Sequence, residues 1–249
     1  MKIVVSFKVV SDDQDIQVSG DGSLDFSKAH KVVSAYDLNA MEAAAQLAAA
    51  NEGASVVGVT VGDAKIDDSK LKKNVLARGV DELFMTADDA CADMDAHATA
   101  AALADLLGKV GEYDLILCGD GSADNYAQQV DVQLAAKLGL PVVNGAAKIE
   151  LGAGVATVER VLEDVVETVE VPLPAVISVV PDVALPRIPG MKDILAAGKK
   201  PMNVSAADGA ALEVVDCKAP EQADRKLEII DASEDGAIEK FAAAIKAAL

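Results

Sequence analysis

A loop with two glycines, between a short apolar run and an amphipathic segment, carries the residue types that most favour ligand chemistry. Residues 114–118 have the sequence DLILC, which is typical of a strand covered on both faces. Gly119 and Gly121 follow this run. Because glycine has no Cβ, they let the backbone turn sharply and approach a ligand closely. The stretch predicts a binding loop at the end of a buried strand.

An amphipathic helix is predicted directly after this loop, with Asp124 as its N-cap and Gly139 and Pro141 at its end. Its inward face carries Tyr126, Val130, Leu134 and Leu138. Unpaired N–H groups and the positive helix end make such a place an anion or nucleotide site. The spacing matches neither GxGxxG nor GxxxxGK[ST], so an ordinary strand-to-helix turn remains an alternative.

Other reactive side chains form no catalytic pattern. No serine, histidine and aspartate, and no cysteine and histidine, occur at a spacing that supports nucleophilic catalysis. His30 and His97 have no partner at metal-ligand spacing. Cys91, Cys118 and Cys217 are odd in number and far apart, which indicates reduced thiols. We expect no catalytic residues and no metal site, and a binding module or a subunit rather than a stand-alone enzyme.

Composition limits the class of partner. The 249 residues are 51% hydrophobic but only 3% aromatic, so a core of Val, Leu, Ile and Ala is expected, in one large domain or two modest ones. Lysine and arginine number 22 and acids 41, which gives a net charge of −19. This balance disfavours nucleic acid and anionic membranes as partners. The N-terminus lacks a signal-peptide pattern, and no apolar run has transmembrane length, so a cytoplasmic location without membrane insertion is expected.

Strands and helices alternate over the first half of the chain. The predicted strands are 2–8, 56–61, 82–85 and 114–118, a hairpin is predicted at 17–26, and the predicted helices are 38–50, 65–77 and 95–110, the first capped by Asp37 and the last beginning at Asp95. This order predicts an α/β fold, with a doubly wound, mostly parallel, Rossmann-like sheet and helices on both faces.

The pattern changes after Pro141. Antiparallel strands are predicted at 147–150, 156–162 and 167–171, a buried strand at 175–180, a weak strand at 227–230 and a helix at 235–249. Residues 181–201 are rich in proline and basic residues, with little packing of their own expected. We expect a nucleotide-binding domain over 1–204 and a C-terminal extension over 205–249 that packs on a partner subunit.

Several motifs, in order, resemble the β subunit of electron transfer flavoprotein, in particular its Fix-type branch. The motifs are KVVSD at 8–12, SAYD at 34–37 with Asn39 and Glu42, the loop 119–130, VERVLEDVVETV at 158–169 followed by PAVIS at 174–178, and residues 186–200. The similarity covers nearly the whole chain.

The resemblance implies a heterodimer in which the α subunit holds most of the FAD and the β subunit binds AMP or a second FAD. The residues that it assigns to the nucleotide are Ser6, Ser34, Ala35, Tyr36, Asp37, Val61, Gly119, Asp120, Gly121, Ser122, Ala123, Asp124, Asn125, Tyr126, Ala127, Gln128, Gln129 and Val130. Ser6, Val61 and Gly119 also follow from the residues alone, because they lie at the carboxyl ends of predicted parallel strands.

The resemblance further implies an electron carrier that relays electrons from an acyl-CoA-type or other flavin dehydrogenase to a quinone reductase or a ferredoxin-type acceptor. The residues expected to dock such a partner are Arg187, Met191, Lys192, Lys199 and Lys200, with Met191 as an exposed apolar anchor. One alternative is a homodimeric nucleotide-binding stress-type protein of similar topology. Another is an ATP-using ligase or sulfurylase, for which residues 119–122 (GDGS) are only a partial phosphate cradle.

Overall fold

The structure is a computed structural model that describes residues 1–206, 215–221 and 227–248. The strands are β1 Lys2–Ser6, β2 Val9–Ser11, β3 Gln17–Val18, β4 Leu24–Asp25, β5 Lys31–Val33, β6 Ser55–Gly62, β7 Glu82–Ala87, β8 Leu115–Gly119, β9 Val142–Leu151, β10 Val155–Val161, β11 Val166–Pro172, β12 Ala175–Val179 and β13 Met202–Ser205. The helices are α1 Ala35–Ala50, α2 Ser69–Leu76, α3 Ala96–Val110, α4 Val130–Leu138, α5 Met191–Ala197 and α6 Ala237–Ala248.

Within the described residues, nine strands form one sheet in the order β11-β10-β9-β12-β8-β1-β6-β7-β13. In this order, the seven neighbouring strands β9, β12, β8, β1, β6, β7 and β13 pair in parallel. Strand β10 pairs with β9 in antiparallel orientation, and β11 pairs with β10 in the same way. The predicted α/β fold with a mostly parallel sheet is therefore confirmed, including the antiparallel strands after Pro141.

Helices cover both faces of the sheet, so its central strands are apolar on both sides. Side chains alternate along β1: Ile3 and Val5 belong to the core under α1 and α2, while Val4 belongs to the core under α3 and α4. Leu117 and Ile116 divide in the same way on β8. This double burial explains why both strands are continuous apolar runs in the sequence.

Local signals located several elements correctly. Asp95 caps α3 by accepting a hydrogen bond from the Ala98 N–H, as the sequence predicts. The predicted hairpin is present as β3 and β4, and Gly22 in its turn has a φ of 81°. The predicted strand at 56–61 is β6, and the one at 175–180 is β12.

Other predicted boundaries were wrong. The helix predicted over 65–77 is a short 3-10 turn, Ala64–Ile66, followed by α2, which Asp68 caps through the Leu71 N–H. Residues 9–11, which follow the predicted first strand and were given no element, form β2, which pairs with β5. No strand is assigned at 227–230, although these residues are described.

The helix predicted to have Asp124 as its N-cap has Gln129 as its N-cap instead, five residues later, and begins at Val130. Tyr126 and Gln128 have φ values of 46° and 53°, which an α-helix does not allow. Leu134 is buried as expected, but Tyr126 lies in the loop and not on the helix face. The loop is therefore longer than the periodicity indicates.

Residues 181–201 pack more closely than the sequence suggests. They contain a 3-10 turn, Pro181–Val183, and the short helix α5, and Ala184 and Ala197 are buried. At the C-terminus, α6 occupies most of the helix predicted over 235–249. Residue 249 lies outside the described residues, as do residues 207–214 and 222–226 of the expected extension. In the described part of the chain, no helix is long and apolar enough to cross a membrane.

Candidate functional site

A cavity of about 310 Å³ lies at the carboxyl ends of β1, β6 and β8. The chain builds the sheet outward from β1 through β6 and β7, and then returns to the other side of β1 to form β8. The crevice between β1 and β8 is therefore the point at which the strand order reverses, where open α/β sheets bind ligands.

Twelve of the eighteen nucleotide residues expected from the sequence line this one cavity, which makes it the candidate site. They are Ser6, Asp37, Val61, Gly119, Asp120, Gly121, Ser122, Asn125, Ala127, Gln128, Gln129 and Val130. The other six, Ser34, Ala35, Tyr36, Ala123, Asp124 and Tyr126, are not among the lining residues. Five of these six, all except Ala35, make contacts that hold the loop in place.

Contacts between the loop and two distant segments hold residues 120–129 in place. The Ala123 N–H donates to Ser34 Oγ at 3.2 Å, and Ser34 is fully buried. Lys8 Nζ lies 2.7 Å from Asp124 Oδ2. Burial acts to raise the pKa of Asp124, but its hydrogen bonds with Lys8 and Ser122 and the charge of Lys8 leave that pKa below its ordinary value. Asp124 thus fixes the loop to Lys8 and caps no helix.

Two tyrosines pack across the mouth of the loop. The rings of Tyr36 and Tyr126 have centroids 5.0 Å apart at a tilt of 44°, a favourable aromatic geometry. The Tyr126 hydroxyl donates to Asp120 Oδ2 at 2.8 Å. This hydrogen bond, more than burial, raises the pKa of Tyr126 to about 12. The tyrosine expected on the helix face therefore closes the loop on itself.

Asp37 joins the ends of two strands, although the sequence suggested that it caps a helix. Helix α1 already begins at Ala35, and Asp37 is buried in its first turn. Its Oδ2 accepts the Lys8 N–H at 2.8 Å, and its Oδ1 accepts the Gly119 N–H at 3.0 Å. Burial raises the pKa of Asp37 to about 7, even though both of these hydrogen bonds act to lower it.

The two glycines of the loop are needed for close packing. A Cβ on Gly119 would lie 2.8 Å from the Cβ of Tyr36 and 2.9 Å from Asp37 Oδ1. A Cβ on Gly121 would lie 2.3 Å from the ring of Tyr126. Gly119 therefore lets α1 approach β8, and Gly121 makes room for the tyrosine. The close approach that the sequence suggested is made by the protein's own side chains.

The start of α4 faces the cavity, which Gln129, Val130 and Asp131 line. The first N–H groups of a helix have no partner within the helix, and the helix dipole makes this end positive. An anion such as a phosphate is accommodated there. Among the lining residues, all in the described part of the chain, Lys8 is the only cation.

Sequence reasoning missed several lining residues. They are Phe7, Lys8, Met94, Asp95, Ala96, Thr99, Leu103, Cys118, Asp131 and Leu134. The signal for the group from 94 to 103 was present, since the helix that Asp95 caps starts at the same edge of the sheet. The signal for Asp131 was absent, because its burial depends on a 2.6 Å hydrogen bond from Ser178 Oγ on β12. Burial also raises the pKa of the Cys118 thiol well above its ordinary value.

The five residues expected to dock a partner divide into two groups. Arg187 forms an ion pair with Glu42, with 2.6 Å between Nε and Oε2. Lys200 Nζ donates to the carbonyls of Leu76 and Val80 at the end of α2. Both cations are therefore paired within the chain, and their docking role stays a prediction.

The other three residues that were expected to dock a partner are exposed. They are Met191, 74% exposed, and Lys192 and Lys199. Sequence reasoning missed the apolar residues beside them: Ile188 is 93% exposed, Leu185 is 89% exposed and Leu195 is 69% exposed. We call residues 181–201 the docking segment, and Leu185, Ile188, Met191 and Leu195 its apolar patch.

Comparison with known families agrees with the fold. The family model described as "Electron transfer flavoprotein domain" matches residues 22–210, from the hairpin before α1 to just beyond β13. The match includes α1, the loop after β8 and the docking segment. Proteins with this domain are flavin-associated electron carriers. This chain belongs to the electron transfer flavoprotein domain family.

Proposed function

We propose that this chain is the β subunit of a heterodimeric electron transfer flavoprotein of the Fix-type branch. It binds an adenine nucleotide in the cavity, helps to hold the FAD of the α subunit, and relays electrons from a flavin dehydrogenase to an acceptor. The observation that carries the proposal is the convergence of Ser6, Val61 and the loop after β8 on one cavity at the strand-order reversal.

Size and charge favour AMP over a second FAD. The cavity of about 310 Å³ is at the low end of small-molecule pockets, roughly 300–1,000 Å³, and FAD contains a second nucleotide half. Lys8 already compensates Asp124, so no further cation among the lining residues neutralises a diphosphate. The N–H groups at the start of α4 suit one phosphate.

One side chain of the loop fits the sugar of a nucleotide. Asp120 Oδ1 is buried and has no hydrogen-bond partner within the described residues, whereas its Oδ2 accepts from Tyr126. An unpaired buried acceptor is unfavourable, so a ribose hydroxyl that donates to Asp120 Oδ1 relieves it and leaves the Tyr126 hydrogen bond to Oδ2 in place. The residues present therefore fit a mononucleotide.

Nucleotide content tests the assignment. The purified chain is heated, and the released material is separated and quantified by absorbance against AMP and FAD standards. We expect about one AMP per chain, and calorimetric titration should give tighter binding for AMP than for FAD. Stoichiometric FAD would favour an electron-bifurcating type, and a chain that neither carries nor binds either nucleotide contradicts the proposal.

Flavin content tests the subunit identity. The family resemblance implies that the α subunit supplies most of the FAD pocket. This chain alone should therefore purify without flavin. Co-expression with an α subunit should give a yellow heterodimer. A redox-active homodimer that carries FAD without an α subunit would instead indicate a self-sufficient flavoprotein.

The docking segment is the proposed contact for the dehydrogenase. Its apolar patch is exposed, and Lys192 and Lys199 add positive charge to a protein whose net charge is −19. An apolar anchor beside exposed charge gives a transient complex both specificity and a fast association rate. We therefore expect electron transfer to slow as salt concentration rises.

The C-terminal helix is the proposed contact for the α subunit. Ile238, Phe241 and Ile245 recur at helical spacing on α6, and all three are exposed. An amphipathic helix that leaves its apolar face open is suited to a partner surface. Deletion of residues 237–249 should weaken the heterodimer in sedimentation experiments without removing the nucleotide. An unchanged heterodimer would assign the interface to another surface.

A further inference from the structure

Helix α1 contacts the docking segment through Asn39, at the point where the segment leaves β12. Asn39 Nδ2 donates to the carbonyl oxygen of Pro181 at 2.9 Å and to that of Ala184 at 2.8 Å. Ala184 is buried, but Leu185, the next residue, is 89% exposed. The chain is thus held immediately before its first exposed apolar side chain.

One helical turn further along α1, Glu42 holds Arg187 by a two-pronged ion pair. Arg187 Nε lies 2.6 Å from Oε2 and Nη2 lies 3.0 Å from Oε1, and the Arg187 N–H also donates to Oε2 at 3.2 Å. Gln46 donates to the same carboxylate at 2.9 Å. The Glu42 side chain is only 8% exposed, and although burial acts to raise its pKa, the Arg187 hydrogen bonds leave that pKa below its ordinary value.

The backbone of Arg187 is also fixed, by a residue outside the docking segment. Arg78, which follows α2, donates from Nη1 to the Arg187 carbonyl at 2.6 Å. Arg187 is therefore held through both its side chain and its backbone, while its neighbour Ile188 is 93% exposed. Such an arrangement fixes the backbone beside this exposed side chain before any partner arrives.

We infer that Asn39 and Glu42 are positioning residues, which fix residues 181–187 on α1 and so present the apolar patch at a set place relative to the nucleotide cavity. The same helix joins β1 to β8 through Asp37, so one rigid element spans both sites. An ordered surface loses less conformational entropy on binding than a flexible one. The inference rests on the proposed docking role of the segment.

Hydrogen exchange in the full chain, followed by mass spectrometry of peptides that cover 182–190, tests the anchor. Glu42→Gln cannot form the two-pronged contact, and we expect exchange there to be about tenfold faster, because hydrogen bonds to charged groups contribute at least that factor. Asn39→Ala should act in the same direction. Glu52→Gln, which removes an exposed carboxylate just beyond α1, is the control that should leave the segment unchanged.

A double variant identifies the contact. If Glu42 acts through Arg187, Glu42→Gln with Arg187→Gln should exchange no faster than Glu42→Gln alone, since both remove the same ion pair. Additive effects, or unchanged exchange in Glu42→Gln and Asn39→Ala, overturn the inference whether or not the segment docks a partner.

Steady-state kinetics of the heterodimer with an electron-donating flavin dehydrogenase gives the functional readout. Glu42→Gln should raise the KM for the dehydrogenase and leave the rate of reduction by dithionite unchanged, since dithionite needs no docking. Faster exchange with an unchanged KM refutes the docking role but not the anchor, so the two proposals fail separately.

Discussion

The buried carboxyl group of Asp37 leads to a specific prediction on pH and stability. Its pKa is about 7 in the folded protein, against 3.8 as an ordinary value. A carboxyl group whose pKa rises on folding binds its proton more tightly in the folded state. Its contribution to stability is therefore complete below about pH 4 and is lost as the pH rises through 7.

The size of this effect follows from the difference of about 3 pH units. At about 1.4 kcal/mol per unit, the full contribution is about 4 kcal/mol, of which about 2–3 kcal/mol is lost between pH 5 and pH 8. Asp37→Asn removes the titration and replaces one acceptor by an amide N–H, which loses the bond to Lys8 or to Gly119 at a pH-independent cost of about 1–3 kcal/mol.

Urea unfolding, followed by circular dichroism at pH 5, 6, 7 and 8, measures the effect. The free energy of unfolding of Asp37→Asn should lie furthest below that of the wild type at pH 5, and the gap should narrow by about 2–3 kcal/mol at pH 8. Glu112→Gln, which removes an exposed carboxylate, controls for net charge. If the difference in free energy of unfolding between wild type and Asp37→Asn stays constant from pH 5 to pH 8, the pKa of Asp37 is not raised by folding and the reasoning is refuted.

Three further predictions concern steric fit and docking. Gly119→Ala places a Cβ 2.8–2.9 Å from atoms in the first turn of α1, so it should lower the free energy of unfolding by about 1–3 kcal/mol. Gly108→Ala, in open space on α3, should raise the free energy of unfolding by up to about 1 kcal/mol. Urea unfolding measures both variants. Gly121→Val should displace the loop and empty the cavity, so stoichiometric nucleotide in heated extracts of this variant would contradict the site. Ile188→Ala and Met191→Ala should each slow electron transfer from the dehydrogenase roughly tenfold at unchanged flavin content and melting temperature. A lower melting temperature with unaltered transfer per folded complex would show instead that these side chains stabilise the protein.

The sheet could be predicted from the sequence because its signals are local. The continuous apolar runs of β8 and β12 indicate strands buried on both faces, and that is how the structure contains them. The start of α3 was likewise predictable, since Asp95 caps it by accepting from the N–H of Ala98, only three residues further along the chain. Parallel pairing then follows from alternation with helices, and with it the edge of the sheet where a ligand is expected.

The loop before α4 could not be predicted, because distant residues decide its shape. The apolar periodicity suggested a helix of four turns that included Tyr126. In the structure, the ring of Tyr126 packs instead on Tyr36, which lies 90 positions earlier in the sequence. Asp124, a good N-cap by type, is held by Lys8, 116 positions away. Tertiary contacts of this kind outweigh local propensity wherever a charged or aromatic group finds a distant partner.

The same physics explains why two cations that were predicted to contact a partner are paired within the chain. A charge that is half-buried by folding is unfavourable unless it is paired, so Arg187 and Lys200 are satisfied within the chain at Glu42 and at the end of α2. Exposed apolar side chains have no such internal solution, and Ile188 and Met191 remain available to a partner. The proposed contacts therefore include the N–H groups at the start of α4, the apolar patch, and the exposed Lys192 and Lys199.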